Sequence, residues 1–131
     1  MLDSTSSEPS APLAGAPPLR TSITRPRAGT VVLAVEGEVD ALTVPPLDAA
    51  MQEMLVDPAG HVLVVDLSGV TFLASSGLAV LLRAASRAAG RDLRVRLVAG
   101  SRAVRRPLEV TGSDQLFDMY ENVQEALSTG S

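Results

Sequence analysis

The chain predicts one α/β domain built on a mixed β-sheet. Three observations lead there. Strand-like apolar segments alternate with helix-like ones along most of the chain, the pattern of a sheet covered by connecting helices. The first two strand segments are joined by a short Pro-Gly turn, so they form a hairpin and make the sheet mixed rather than purely parallel. The 131 residues are 46% hydrophobic but only 2% aromatic, so one core packed with Leu, Val and Ala carries the stability.

Residues 1–17 are rich in Ser, Pro, Ala and Gly, and they hold too little apolar surface to fold alone. They predict a disordered tail. Leu19, Thr21 and Ile23 then alternate with Arg20, Ser22 and Thr24, which predicts an edge strand. Pro26 to Gly29 is a turn. Thr30 to Val39 is a second strand, ending in Glu36-Gly37-Glu38-Val39-Asp40. Thr43 is placed to cap the next helix, and Pro45 and Pro46 suit its first turn. Leu47, Met51, Met54 and Leu55 recur at helical spacing, and Asp57 to Gly60 stops the helix.

Val62 to Leu67 is almost continuously apolar, as expected of a central strand covered on both faces. A tight loop should come next, and then a helix opened by Ser75 and Ser76. Leu78, Leu81, Leu82 and Ala85 face inward, Arg83 and Arg87 outward, and Gly90 is a C-cap. Leu93, Val95 and Leu97 alternate with Arg94 and Arg96 in a further strand. Ser101 caps a short helix through Val104, with a kink or an end at Pro107, which lacks the amide proton for Ala103. Phe117 to Tyr120 is a last strand and Glu121 to Leu127 a terminal helix.

Several functions are excluded by composition. The net charge of −4 argues against direct nucleic-acid binding, which needs a basic footprint. No cysteine is present, which removes disulfides, thiolate nucleophiles and cysteine zinc sites. Lysine is absent as well, and with it Walker-type phosphate binding and Schiff-base chemistry. No apolar run reaches the roughly 20 residues of a membrane span. The N-terminus lacks the basic start and apolar stretch of a signal peptide. The expectation is a soluble, cytoplasmic protein without membrane association.

His61, the single histidine, starts the central strand, whereas Ser75 lies past that strand's far end. A Ser-His-Asp triad needs hydrogen-bond contact, so a serine hydrolase is disfavoured. One histidine makes no metal cluster, and no carboxylate-rich loop replaces it, so no metal and no cofactor are expected. Glu36, Glu38 and Asp40 form an acidic patch at a strand end. This is either a solvated turn or a polar interaction surface. Ser75 and Ser76 stand where a helix start presents free N–H groups and positive dipole. One of them simply caps the helix, or a phosphate is held there.

The segment Val65-Asp66-Leu67-Ser68-Gly69-Val70-Thr71-Phe72-Leu73-Ala74-Ser75-Ser76-Gly77-Leu78 resembles the STAS domain, and within it the stand-alone anti-sigma factor antagonists. Val35-Glu36-Gly37-Glu38-Val39-Asp40 supports the likeness, and the block around Ser101-Arg102-Ala103-Val104 adds weakly to it. The resemblance places a STAS domain at 18–128, with a mixed sheet and helices mainly on one side. It implies a non-enzymatic partner switch. The unphosphorylated protein binds an anti-sigma factor, typically a GHKL-type serine kinase, and so frees a sigma factor. Phosphorylation at Ser75 ends the complex, and a phosphatase resets it.

The implied partner surface comprises Glu38, Asp40, Thr71, Ala74, Ser75, Ser76 and Gly77. Ala74 stands where such proteins often carry Asp, which removes a negative charge beside the serine, and Pro107 is unusual in its helix. A STAS regulator of a transporter, or one binding a nucleotide or lipid, is the alternative role.

Overall fold

The computed structural model describes residues 19–58 and 60–128. The expected tail at 1–17 lies outside the described residues. Five strands form one sheet in sequential order. They are β1 (Arg20–Arg27), β2 (Thr30–Val39), β3 (Val62–Leu73), β4 (Arg94–Val98) and β5 (Asp118–Tyr120). The helices are α1 (Val44–Leu55), α2 (Ser75–Ala89), α3 (Arg102–Thr111) and α4 (Val123–Ser128), with a 3₁₀ turn at Ser113–Leu116. β1 and β2 pair antiparallel, while β2–β3, β3–β4 and β4–β5 pair parallel. The sheet is therefore mixed, as the hairpin requires.

Side-chain alternation explains the layers. Val31, Leu33 and Val35 of β2, Leu63, Val65 and Leu67 of β3, and Leu97 of β4 share one face. Leu47, Met51 and Met54 of α1, Leu78 and Leu81 of α2, and Val104 and Leu108 of α3 pack on it. On the other face Val32, Val62, Val64 and Val98 meet Ala126 of α4. Three helices thus cover one side, and one short helix covers part of the other.

The structure corrects several expectations, each for a local reason. Ser68-Gly69 is not a loop, because β3 continues to Leu73. The register with β2 slips between Ala34 and Glu36 and again between Gly37 and Glu38. These are bulges, and they bend the strand without ending it. A Cβ on Gly69 would lie 2.6 Å from Glu36 Cγ, so glycine is there for close approach and not for a turn. Asp66 Oδ1 accepts from the Ser68 N–H at 3.0 Å, holding the first bulge.

Pro107 does not end α3, which runs on to Thr111 and closes at Gly112 with φ of 75°. Val104 and Leu108 are fully buried on either side of the proline. Their burial outweighs one missing backbone bond. Arg96 does not alternate outward to solvent like Arg94: it is 1% exposed. Its guanidinium donates to the Ala126 carbonyl at 2.7 Å and stacks 5.8 Å from the Tyr120 ring centroid. The arginine thereby fastens α4 to the second face. Gly90 does occupy the C-cap of α2, but in right-handed conformation, and the positive φ of 62° falls on Asp92.

Side-chain capping is also missing where hydroxyls were expected to supply it. Thr43 and Ser101 occupy N-cap positions without side-chain cap bonds. The N-cap of α2 is Ala74, in extended conformation, so neither Ser75 nor Ser76 caps that helix.

This packing makes two changes in stability measurable. Leu81 is 1% exposed between helix and sheet. Leu81→Ala should cost about 2–5 kcal/mol in denaturant unfolding, and a near-neutral result would refute the assigned helix face. Ala74→Asp should raise stability by about 1 kcal/mol, because the backbone already has N-cap geometry and only the acceptor is missing. An unchanged thermal midpoint would mean that the first-turn N–H groups already have partners.

Candidate functional site

The parallel strands β2 and β3 end side by side, and the turns that leave their ends build the site. Val39 is in register with Leu73, and the Val39 carbonyl accepts from the Ala74 N–H at 2.8 Å. Asp40 comes directly after Val39, and Ser75 directly after Ala74. The sheet therefore delivers both to one edge.

Asp40 is more than a surface charge. Its Oδ1 accepts from the N–H groups of Leu42 at 3.0 Å and Thr43 at 3.1 Å. The Thr43 hydroxyl in turn donates to the Glu38 carbonyl at 2.8 Å and accepts from the Asp40 N–H at 2.9 Å. Thr43 thus ties the turn back to β2, which is why it does not cap α1. The carboxylate shapes the loop, an Asx-type turn that the Asp-x-x-Thr spacing signals. Replacing Asp40 by Ala would disturb that loop as well as remove a charge.

Ser75 occupies the first position of α2 and is exposed, and Ser76 is half-buried beside it. The first turn-closing bonds run from the Gly77 and Leu78 N–H groups to the Ala74 carbonyl, both at 3.0 Å. The Ser75 and Ser76 N–H groups precede them, so they face the edge at the positive end of the helix dipole. Thr71 and Glu38 are exposed and Ala74 is half-buried. Phe72, in register with Glu38, is 50% exposed.

Gly77 departs from the expected surface set. It is buried, and a Cβ there would lie 2.3 Å from Val39 Cγ1 and 2.9 Å from Leu73 Cδ1. It seats α2 on the ends of both strands.

The acidic patch divides. Glu36 pairs with Arg20 at 3.3 Å across the hairpin, whereas Glu38 and Asp40 belong to the edge. Neither Glu38–Thr43 nor Asp66–Ala79 contains an arginine or histidine. The two segments that form the edge therefore carry negative charge only. His61 is exposed at the opposite end of β3, its N–H bound to the Gly29 carbonyl at 2.8 Å. The 12-residue strand, at roughly 3.3 Å per residue, separates it from Ser75 and leaves no triad.

A surface groove of about 400 Å³ is lined by Arg20, Thr21, Ser22, Ala34 and Glu36, none of them at this edge. Among the described residues there is no cluster of three or more metal-binding side chains, and no helix is long and apolar enough to cross a membrane.

Relatives with the same architecture are identifiable. The family model for the Mlab, STAS domain matches residues 24–124. The anti-sigma-F factor antagonist RsfB of Mycobacterium tuberculosis is 36% identical over 100 residues, covering 76% of this chain and 80% of that protein. A crystal structure of an anti-sigma factor antagonist from Mycobacterium paratuberculosis aligns with a TM-score of 0.73 at 33% identity, covering 84% of this chain and 92% of that one. The phosphorylated form of the Bacillus cell fate determinant SpoIIAA shares the fold, with a TM-score of 0.65 at 19% identity over 82% of this chain and 96% of that one. The chain belongs to the STAS-domain family, among its anti-sigma factor antagonists.

Proposed function

We propose that this anti-sigma factor antagonist is a partner switch thrown by phosphorylation of Ser75. Unphosphorylated, its Asp40–Ser75 edge binds an anti-sigma factor and so frees a sigma factor. That partner is a GHKL-type serine kinase, which carries the γ-phosphoryl group of ATP to Ser75 Oγ. The hydroxyl proton is lost and ADP leaves. A phosphatase hydrolyses the ester and restores the binding form. The chain contributes the accepting hydroxyl and the docking surface, while the chemistry belongs to its partners. The setting is the cytoplasm, where sigma factors meet polymerase.

The observation that carries this reading is the exposure of Ser75 at the first position of α2, on the same edge as Asp40. A hydroxyl there is open to a kinase and also lies within any surface that covers Asp40. A phosphoryl group adds about −1.5 to −2 charges beside Glu38 and Asp40, with no cation in either loop to offset it. Burying that charge in an interface costs affinity through desolvation and like-charge repulsion. A hundredfold loss needs only about 2.7 kcal/mol, so no change of backbone conformation is required.

The reading is checked with an anti-sigma kinase that binds the wild-type chain. Incubation with ATP should add one phosphate, located on Ser75 by mass spectrometry, and lower affinity at least a hundredfold. Ser75→Ala should accept none and stay bound. Ser75→Asp should weaken binding less than phosphate does, since one carboxylate carries less charge. Phosphate found on Thr71 or Ser76, or unchanged binding by verified phospho-Ser75 protein, would overturn the switch.

Asp40→Asn should separate charge from architecture, because its side-chain oxygen can still accept from the Leu42 and Thr43 N–H groups. We expect a thermal midpoint within a few degrees of wild type and at least tenfold weaker binding. Wild-type affinity would confine Asp40 to shaping the loop.

A further inference from the structure

We infer that Leu42 is an apolar anchor of the anti-sigma factor interface, inserting into a pocket of the partner beside Ser75. This deepens the partner-switch reading and rests on it.

Leu42 is 88% exposed, more than Val56, Phe72, Val110 or Leu116, the other large hydrophobic side chains left open to solvent among the described residues. A lone exposed leucine needs no explanation by itself. Its setting is what distinguishes this one. The residue projects from the short connection between β2 and α1, whose backbone is held at several points. Its own N–H is bound by the Asp40 carboxylate at 3.0 Å, and the next residue is bonded to Asp40 and Glu38. Exposed apolar side chains on floppy loops lose much of their binding value to ordering. On a pinned turn that loss is already met by the fold.

Position supplies the second argument. The turn leaves β2 at Val39, whose carbonyl also receives the Ala74 N–H at 2.8 Å. Leu42 and Ser75 therefore rise from two loops that share one hydrogen bond. Leu42 stands in the turn that joins Asp40 to α1, next to the loop that leads into Ser75.

Chemistry supplies the third. Glu38 and Asp40 fit a partner surface with basic groups, and basic groups alone would not reject a phosphate. An apolar pocket around Leu42 excludes water from the same patch. A phosphoryl group next to it must then be desolvated, and that turns phosphorylation into release. The occupant this describes is a protein surface that pairs an apolar pocket with cations, namely the anti-sigma factor. A second copy of this chain is a poorer match, since its own edge would bring acid against acid.

The test uses the full chain and an anti-sigma factor that binds wild type, with titration calorimetry for affinity and thermal melting for fold. Leu42→Ala should weaken binding about tenfold or more, and Leu42→Glu further. Leu42→Met should retain most of the affinity, since it keeps apolar bulk. All three should melt within a few degrees of wild type, because the side chain packs on little.

If Leu42→Ala and Leu42→Glu bind normally while phospho-Ser75 protein does not, the anchor is refuted and the switch stands. If wild type forms a dimer that Leu42→Glu dissociates, with partner affinity unchanged, Leu42 serves self-association and the inference is also overturned. If no anti-sigma factor binds wild type, the partner-switch reading itself fails, and the anchor with it.

Discussion

The closeness of α2 to the ends of β2 and β3 is the constraint on which the rest of the edge depends. Gly77 sits where any Cβ would enter the Val39 side chain, and the Ala74 N–H is fixed to the Val39 carbonyl. Together these set the height of the helix start above the sheet. The serine is thus positioned by the main chain and by an absent side chain. No polar contact of the serine itself is needed. Such a scaffold leaves the hydroxyl free for modification while keeping its location rigid.

Rigidity at this edge would also let the proposed modification of Ser75 have a large consequence. Both loops grow from parallel strands whose core residues are almost fully buried, Val39 and Leu73 among them. Asp40 and Thr43 then brace the first loop with backbone bonds on both sides. A surface prepared in this way loses little entropy on docking, so its affinity comes from complementarity and is easily lost when complementarity is spoiled. In the switch proposed above, a phosphate on Ser75 would spoil it by charge, without moving anything.

Strand and helix identities are legible in the sequence because apolar spacing is a direct imprint of burial, as in Val62 to Val65 or Leu78 and Leu81. The shared edge of Asp40 and Ser75 is legible too, since parallel strands end together. The extension of β3 through Ser68-Gly69 is hidden, because a glycine needed for close approach to Glu36 looks the same as a glycine needed for a turn. Pro107 misleads for a related reason: its missing amide is visible in sequence, and the burial of Val104 and Leu108 around it is not. Arg96 reads as a solvent-facing counterpart of Arg94, and only the docking of α4 explains its burial. The neighbours of Gly77 in the motif point it to the surface, whereas its contacts are with Val39 and Leu73. The exposure of Leu42 leaves no mark in the sequence, for a leucine in a turn carries no periodicity to say which way it points.

The uncapped start of α2 would give the proposed switch a further asymmetry. Ala74 offers no side-chain acceptor to the first-turn N–H groups, so in the unmodified chain that helix end has no anionic partner of its own. A phosphoryl group on Ser75 would stand at that positive helix end, where anionic oxygens are favoured by the N–H groups and the dipole together. In the proposed switch, the modification that would make the interface costly to form would therefore suit the isolated domain. An Asp at position 74 would put a negative charge there permanently and reduce what the phosphate gains. Alanine keeps the unmodified edge less acidic and would leave the helix end to respond to a phosphate alone. In the proposed switch Ala74 would thereby sharpen the contrast between the two states: it removes a charge from the binding form and an internal competitor from the phosphorylated one.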